Sequence, residues 1–238
     1  MLSAAMSQSL TTKPVAPERP AGARGPGATE RPGRTQLEGL GLLAGIVALM
    51  WLVEVINTLD NNGLDRDGLY ARNLDRFWGI LTSPFIHASF QHLTDNTIPF
   101  VFLGAIIAWR GAVRLAIVTG FVIVIGGLGT WLISPGGAPT IGASGVVFGY
   151  ATYLLARGFF DRSAWELIVG VIVGVIWGGV LIASLVPHHD VSWEAHVCGG
   201  IAGVIVAWRL SAGDQHRRQL RRSAAPPAPP APPAPAAI

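Results

Sequence analysis

The run Pro135-Gly-Gly-Ala-Pro-Thr-Ile-Gly-Ala-Ser144-Gly145-Val-Val-Phe-Gly149 decides how this chain is read. Its first half is punctuated by proline and glycine and reads as a loop. Its second half opens an apolar stretch, 143–156, of about 14 residues, or roughly 21 Å at the α-helical rise. A helix crossing a hydrocarbon core of about 30 Å needs about 20 residues, so this helix is expected to start below the surface. The loop from Ser134 to Thr140 then dips into the membrane. Non-helical backbone at depth is tolerated only where protein buries it or water reaches it. The spacing therefore predicts a hydrated cavity around Ser144.

Five further apolar stretches flank this one, at 39–56, 90–109, 112–133, 164–186 and 191–210, each long enough to span with interfacial ends. Half of the 238 residues are hydrophobic, 13% are charged, and the mean hydropathy is +0.46. A soluble domain carries about 25% charged residues. The expected fold class is an all-α polytopic membrane protein with six transmembrane helices. Residues 1–38, rich in Pro, Gly and basic residues without an apolar core, read as a disordered N-terminal tail. Residues 39–210 form the membrane domain, and 211–238 a tail that is basic and then Pro/Ala-rich.

A sequence pI near 9.6 is explained by topology rather than by nucleic acid. With the N-terminus inside, Lys13, Arg19, Arg24, Arg31, Arg34, Arg110, Arg114, Arg157, Arg162, Arg209, Arg217, Arg218, Arg221 and Arg222 fall on the cytoplasmic side, and Arg66, Arg72 and Arg76 outside. That asymmetry puts both termini in the cytoplasm of a multi-pass protein of the cell membrane. Trp109, Trp131, Trp165, Trp193 and Trp208 fall near expected helix ends, as interfacial aromatics do. Ser144, His92 and His196 then share a depth near the outer ends of their helices.

Polar groups cost several kcal/mol in lipid and are rare there without a site or a partner. A serine hydroxyl is a weak nucleophile that needs a base in hydrogen-bond reach, and His196 is the leading candidate. His196, Gly199 and Gly203 share one helix face at i, i+3 and i+7, and Gly145-x-x-x-Gly149 offers a matching small face. Small-xxx-small patterns more often mean helix packing alone; here packing would also join Ser144 to His196. His92 and Asn96, at i and i+4, either donate to an oxyanion together with the Ser144 backbone N–H or form an interhelical polar pair.

The motifs Trp78…His87-Ala-Ser-Phe-Gln-His92-Leu-Thr-Asp-Asn96, Gly142-Ala-Ser144-Gly145 and Ala195-His196-x-x-Gly199-x-x-x-Gly203 resemble, in order and placement, the rhomboid family of intramembrane serine proteases. The resemblance covers about residues 75 to 210. It implies a six-helix core, a Ser144–His196 dyad and an oxyanion site of His92, Asn96 and the Ser144 N–H. Gly142, Gly145, Phe148, Gly149, Gly199 and Gly203 are expected to pack around it. Two positions depart from the family: Trp78 is followed by Gly79 rather than arginine, and Phe148 stands where a tyrosine is frequent beneath the catalytic histidine.

No third carboxylate is evident, since Glu194 points away from His196 on its helix and nothing directs Asp190 toward it. His188-His189-Asp190 lacks further ligands at zinc spacing, and the single Cys198 excludes a disulfide framework and a cysteine metal site. No metal or organic cofactor is expected. His87 is expected to shape the first outer loop, and Glu54 and Asp95 to be solvated or interhelical. The expected partners are single-span membrane proteins and the lipid bilayer, not nucleic acid. The expected activity is serine-type endopeptidase cleavage of transmembrane substrates near the outer face, with small or helix-breaking residues at the cut. A catalytically inactive rhomboid-like protein that binds membrane clients is the main rival, and a small transporter the second.

Overall fold

The computed structural model describes residues 32–161, 164–183 and 192–223. Expectations about the N-terminal residues before Pro32, Arg162, His188, His189, Asp190 and the Pro/Ala tail lie outside the described residues. The elements are α1 (Pro32–Leu59), α2 (Gly79–Thr82), α3 (Phe90–Ala108), α4 (Ala112–Phe121), α5 (Gly127–Ile133), α6 (Ser144–Asp161), α7 (Ala164–Ala183) and α8 (Trp193–Ser223). A π-helical turn, Val122–Gly126, fuses α4 and α5 into one rod. The fold is all-helical; its extended pairing among the described residues is the isolated bridge Leu69↔Thr140.

Three rods are long and apolar enough to cross a bilayer by length and composition: Gly33–Leu59, Ala112–Ile133 and Trp193–His216. Of the other long helices, α3 and α6 carry polar groups inside their length, His92 and Asn96 on α3 and Arg157 on α6, while α7 contributes the apolar run Leu167–Gly179. Helix α6 sits at the centre, packed by α3, α7 and α8. It buries Val146, Val147, Tyr150, Tyr153 and Leu154, while Leu52, Ile98, Val175 and Ile201 on the surrounding helices face outward. Apolar side chains turned outward on every side suit a lipid solvent, in which the backbone must be satisfied within helices.

Several boundaries differ from the sequence expectation, for identifiable reasons. Helix α1 begins at Pro32, inside the segment read as a tail, because proline suits the first helical turn and Arg34 pairs with Glu38 one turn on at 2.9 Å. Helix α6 has 18 residues rather than about 14. It continues past Ala156 because Arg157, read as a loop charge, is fully buried with partners: Asp161 at 2.7 Å, Asp214 at 3.2 Å and the Tyr153 hydroxyl at 3.0 Å. Helix α8 runs on to Ser223 through the basic segment, held by an Arg114–Asp214 pair at 2.8 Å and by Gln215 donating to the Phe160 carbonyl. Trp208 accordingly lies well inside its helix rather than at an end.

Candidate active site

Ser144 is the first residue of α6, and the segment before it, residues 140–143, is pinned by the chain between α1 and α3. Leu69 and Thr140 exchange backbone hydrogen bonds of 2.9 and 2.8 Å, and the Gly142 N–H donates to the Ser83 carbonyl at 2.9 Å. The Ala143 N–H donates to Nε2 of His87 at 3.3 Å. The Ala143 carbonyl accepts from Val146 and Val147, so Ala143 caps the helix. The Ser144 N–H, at the first helical position, has no carbonyl four residues earlier within the helix to bond.

Gly142 has φ +108°, a conformation that favours glycine. A β-carbon there would stand 2.7 and 2.8 Å from Cε1 and Nε2 of His92 and 3.6 Å from Nδ2 of Asn96. Both α3 side chains therefore converge on the backbone just before Ser144. Asn96 is buried and donates to the His92 carbonyl at 3.0 Å, while Ser89 caps the helix by accepting from the His92 N–H at 3.2 Å.

From the other side, α8 brings His196 to a 2.8 Å contact between its Nε2 and the Ser144 Oγ. The approach is made backbone to backbone. A β-carbon on Gly199 would overlap the Gly145 carbonyl oxygen, and one on Gly203 the Gly149 carbonyl oxygen. The Gly145-x-x-x-Gly149 and Gly199-x-x-x-Gly203 faces expected to pack are thus packed, and they lie next to the Ser144–His196 contact. Phe148, one turn below Ser144, stacks flat on the His196 ring with centroids 4.3 Å apart and planes 5° apart. The ring contact expected of a tyrosine at this position is made without a hydroxyl.

A cavity of about 40 Å³ opens beside Gly142 and Gly145, bounded by Leu69, Ser83, Gly126 and Thr130. That exceeds the roughly 10–15 Å³ a cavity needs to hold a water molecule. Glu194 is buried and takes the Ser192 hydroxyl at 3.3 Å. No group of three or more metal-ligating side chains occurs among the described residues.

Sequence reasoning left three features undervalued. Of the two carboxylates expected to be solvated or interhelical, Glu54 is fully buried beside Asn57 and the His87 backbone, whereas Asp95 is exposed and takes the Gln91 amide at 2.9 Å. Gly79 stands where an arginine was expected because a β-carbon there would overlap the Gly68 carbonyl. Arg72 anchors the loop instead, donating to the carbonyls of Leu132 at 2.9 Å in the last turn of α5 and of Ser134 at 2.7 Å just beyond it. Nothing in the local sequence marks Arg72, because its targets lie some 60 residues away.

The model of the Rhomboid domain matches residues 74–213. The chain belongs to the rhomboid family. An uncharacterized protein of Mycobacterium tuberculosis is 40% identical over 187 residues, covering 75% of this chain and 78% of the relative. One of Mycobacterium leprae is 42% identical over 185 residues, 74% and 73% of the two chains. Rhomboid-like protein 11, chloroplastic, of Arabidopsis thaliana is 30% identical over 158 residues, 58% of this chain and 54% of its own. Rhomboids are intramembrane proteases, so this is a multi-pass protein whose surroundings are lipid, and the match includes His92, Asn96, Ser144 and His196.

Proposed function

We propose that this rhomboid is a serine endopeptidase that cuts transmembrane substrates near the outer face of the cell membrane through a Ser144–His196 dyad. The observation that carries the reading is the 2.8 Å contact between Ser144 Oγ and His196 Nε2. His196 Nε2 takes the hydroxyl proton as Oγ attacks the scissile carbonyl carbon. Negative charge then develops on the carbonyl oxygen beside Gly142, where the Ser144 N–H and the His92 and Asn96 side chains supply donors. Protonated His196 passes its proton to the leaving amine as the C–N bond breaks. Water from the adjoining cavity, deprotonated by His196, attacks the acyl carbon, and the proton passes from His196 to Ser144 Oγ as the ester C–O bond breaks and the second product leaves. Phe148 keeps the imidazole plane fixed throughout.

The six long helices would all span, with both termini cytoplasmic. Arg157 lies thirteen positions along α6 from Ser144, about 20 Å at the helical rise, beside Arg114 and Asp214. An arginine-rich end opposite the serine end supports a cytoplasmic charge cluster and an outer active site. Substrates would be single-span proteins whose helix unwinds at small or helix-breaking residues.

The test uses purified protein in lipid with a fluorophosphonate probe and a single-span substrate. Wild type should label and cleave, and Ser144→Ala should do neither while keeping its fold. Cleavage by Ser144→Ala would overturn the nucleophile; a folded wild type that neither labels nor cleaves would favour a client-binding protein.

A further inference from the structure

His87 is fully buried in the loop before α3, and no step above uses it. Its Nε2 receives the Ala143 N–H at 3.3 Å, the one side-chain bond among those that tie segment 140–143 to this loop. Its backbone is held in turn from α1: Asn57 donates to the His87 carbonyl at 3.1 Å and to Asp65 at 2.9 Å, and accepts from the Leu64 N–H at 3.0 Å. The His87 ring meets the His92 ring edge to face, with centroids 5.1 Å apart at 71°. One imidazole thus touches the backbone of the nucleophile segment and one of the side chains assigned to the oxyanion.

We propose that His87 is a positioning residue for the reaction, its neutral imidazole accepting the Ala143 N–H and thereby aiming the Ser144 N–H at the oxyanion. The geometry follows from planar, trans peptides. His87 fixes the Gly142–Ala143 peptide, and the Val146 and Val147 amides fix the Ala143 carbonyl. The Ser144 N–H points opposite that carbonyl across its own peptide, so its direction is set once both are held. Without the His87 acceptor, the Ala143 amide is buried and unpaired, and Gly142 at φ +108° has freedom to turn. Only a lone pair on Nε2 can accept an N–H, so the proton must sit on Nδ1, a buried atom that has no hydrogen-bond partner among the described residues. Burial supports this state by pushing the pKa of His87 down to about 4.

This inference rests on the Ser144 reading, and its test separates the two. His87→Leu should lower kcat on the order of tenfold to a hundredfold, less than removal of an oxyanion donor outright, with KM within about twofold. His87→Gln, whose Oε1 can accept the same N–H, should recover part of that loss. Full-length protein labelled with 15N-histidine should show, as the resonance pair missing from His87→Gln, a neutral Nδ1–H imidazole at pH 7. A kcat unchanged in His87→Leu, or an Nε2–H or cationic ring in wild type, overturns the proposal even if a variant fails to fold. Wild type that neither labels nor cleaves sinks the Ser144 reading instead, and the nitrogen spectrum still decides the bond.

Discussion

Two polar side chains near Ser144, Asn96 and His87, are hydrogen-bonded to backbone, and that coupling sets how costly their loss should be. Asn96 is buried, donates to the His92 carbonyl and reaches the Gly142 backbone. As one of the three donors proposed for the oxyanion, its loss in Asn96→Ala should cost about 3 kcal/mol of transition-state stabilisation, a rate loss on the order of a hundredfold. Steady-state cleavage at fixed pH measures it, and an unchanged kcat would remove Asn96 from that role. His87 adds a pH dependence of stability whose sign is fixed. The unfolded chain takes up a proton on this ring near pH 6.5, and the folded chain resists it until about pH 4. Its contribution to stability is therefore complete above pH 6.5 and is lost as pH falls toward 4, at up to about 1.4 kcal/mol per pH unit. Denaturant titrations of wild type and His87→Gln from pH 7 to 4 should diverge in that window and run parallel above it.

At the scale of elements, the glycine faces of α6 and α8 place the helices, and the helices place the residues. Gly199→Ala puts a methyl group into the Gly145 carbonyl, which can be relieved only by moving the helices apart. Overpacking of this kind costs about 1–3 kcal/mol. It should also lengthen the Ser144–His196 contact, so activity should fall more than stability predicts. Gly203→Ala makes the same clash one turn further from the serine; its stability loss should match while its activity loss is smaller. Equal effects on activity would argue that the glycines stabilise the bundle without setting the reactive distance. The sequence made this pairing legible because the spacing of small residues is local and periodic. Arg72, which ties the loop before α3 to the end of α5, was not legible: its role depends on carbonyls some 60 residues away.

For the whole molecule, the sequence foretold the helical class, five stretches close to the observed helices and the meeting of Ser144 with His196. It misjudged the end away from the serine, where charge was taken as a sign of solvent. Arg157 is buried among Asp161, Asp214 and Tyr153, joining α6 to α8, while Arg114 brings in α4 through the same Asp214. Composition cannot distinguish an arginine in water from one paired with aspartates brought from elsewhere in the chain. Arg157→Met should strand buried negative charge and cost about 3–5 kcal/mol, read as a shift in the unfolding midpoint in denaturing detergent. Fluorophosphonate labelling of the fraction still folded should be unaffected, since the site lies at the other end of α6.

Carbonyl oxygens lying against glycine α-carbons have a consequence for behaviour on heating. Side chains gain rotameric freedom gradually as temperature rises, but a spacing ruled by main-chain atoms has no such freedom to gain. The spacing of the two backbones that carry Ser144 and His196 should therefore stay constant until the helices separate altogether. Turnover should climb smoothly with warming and then stop over the narrow interval in which the bundle melts.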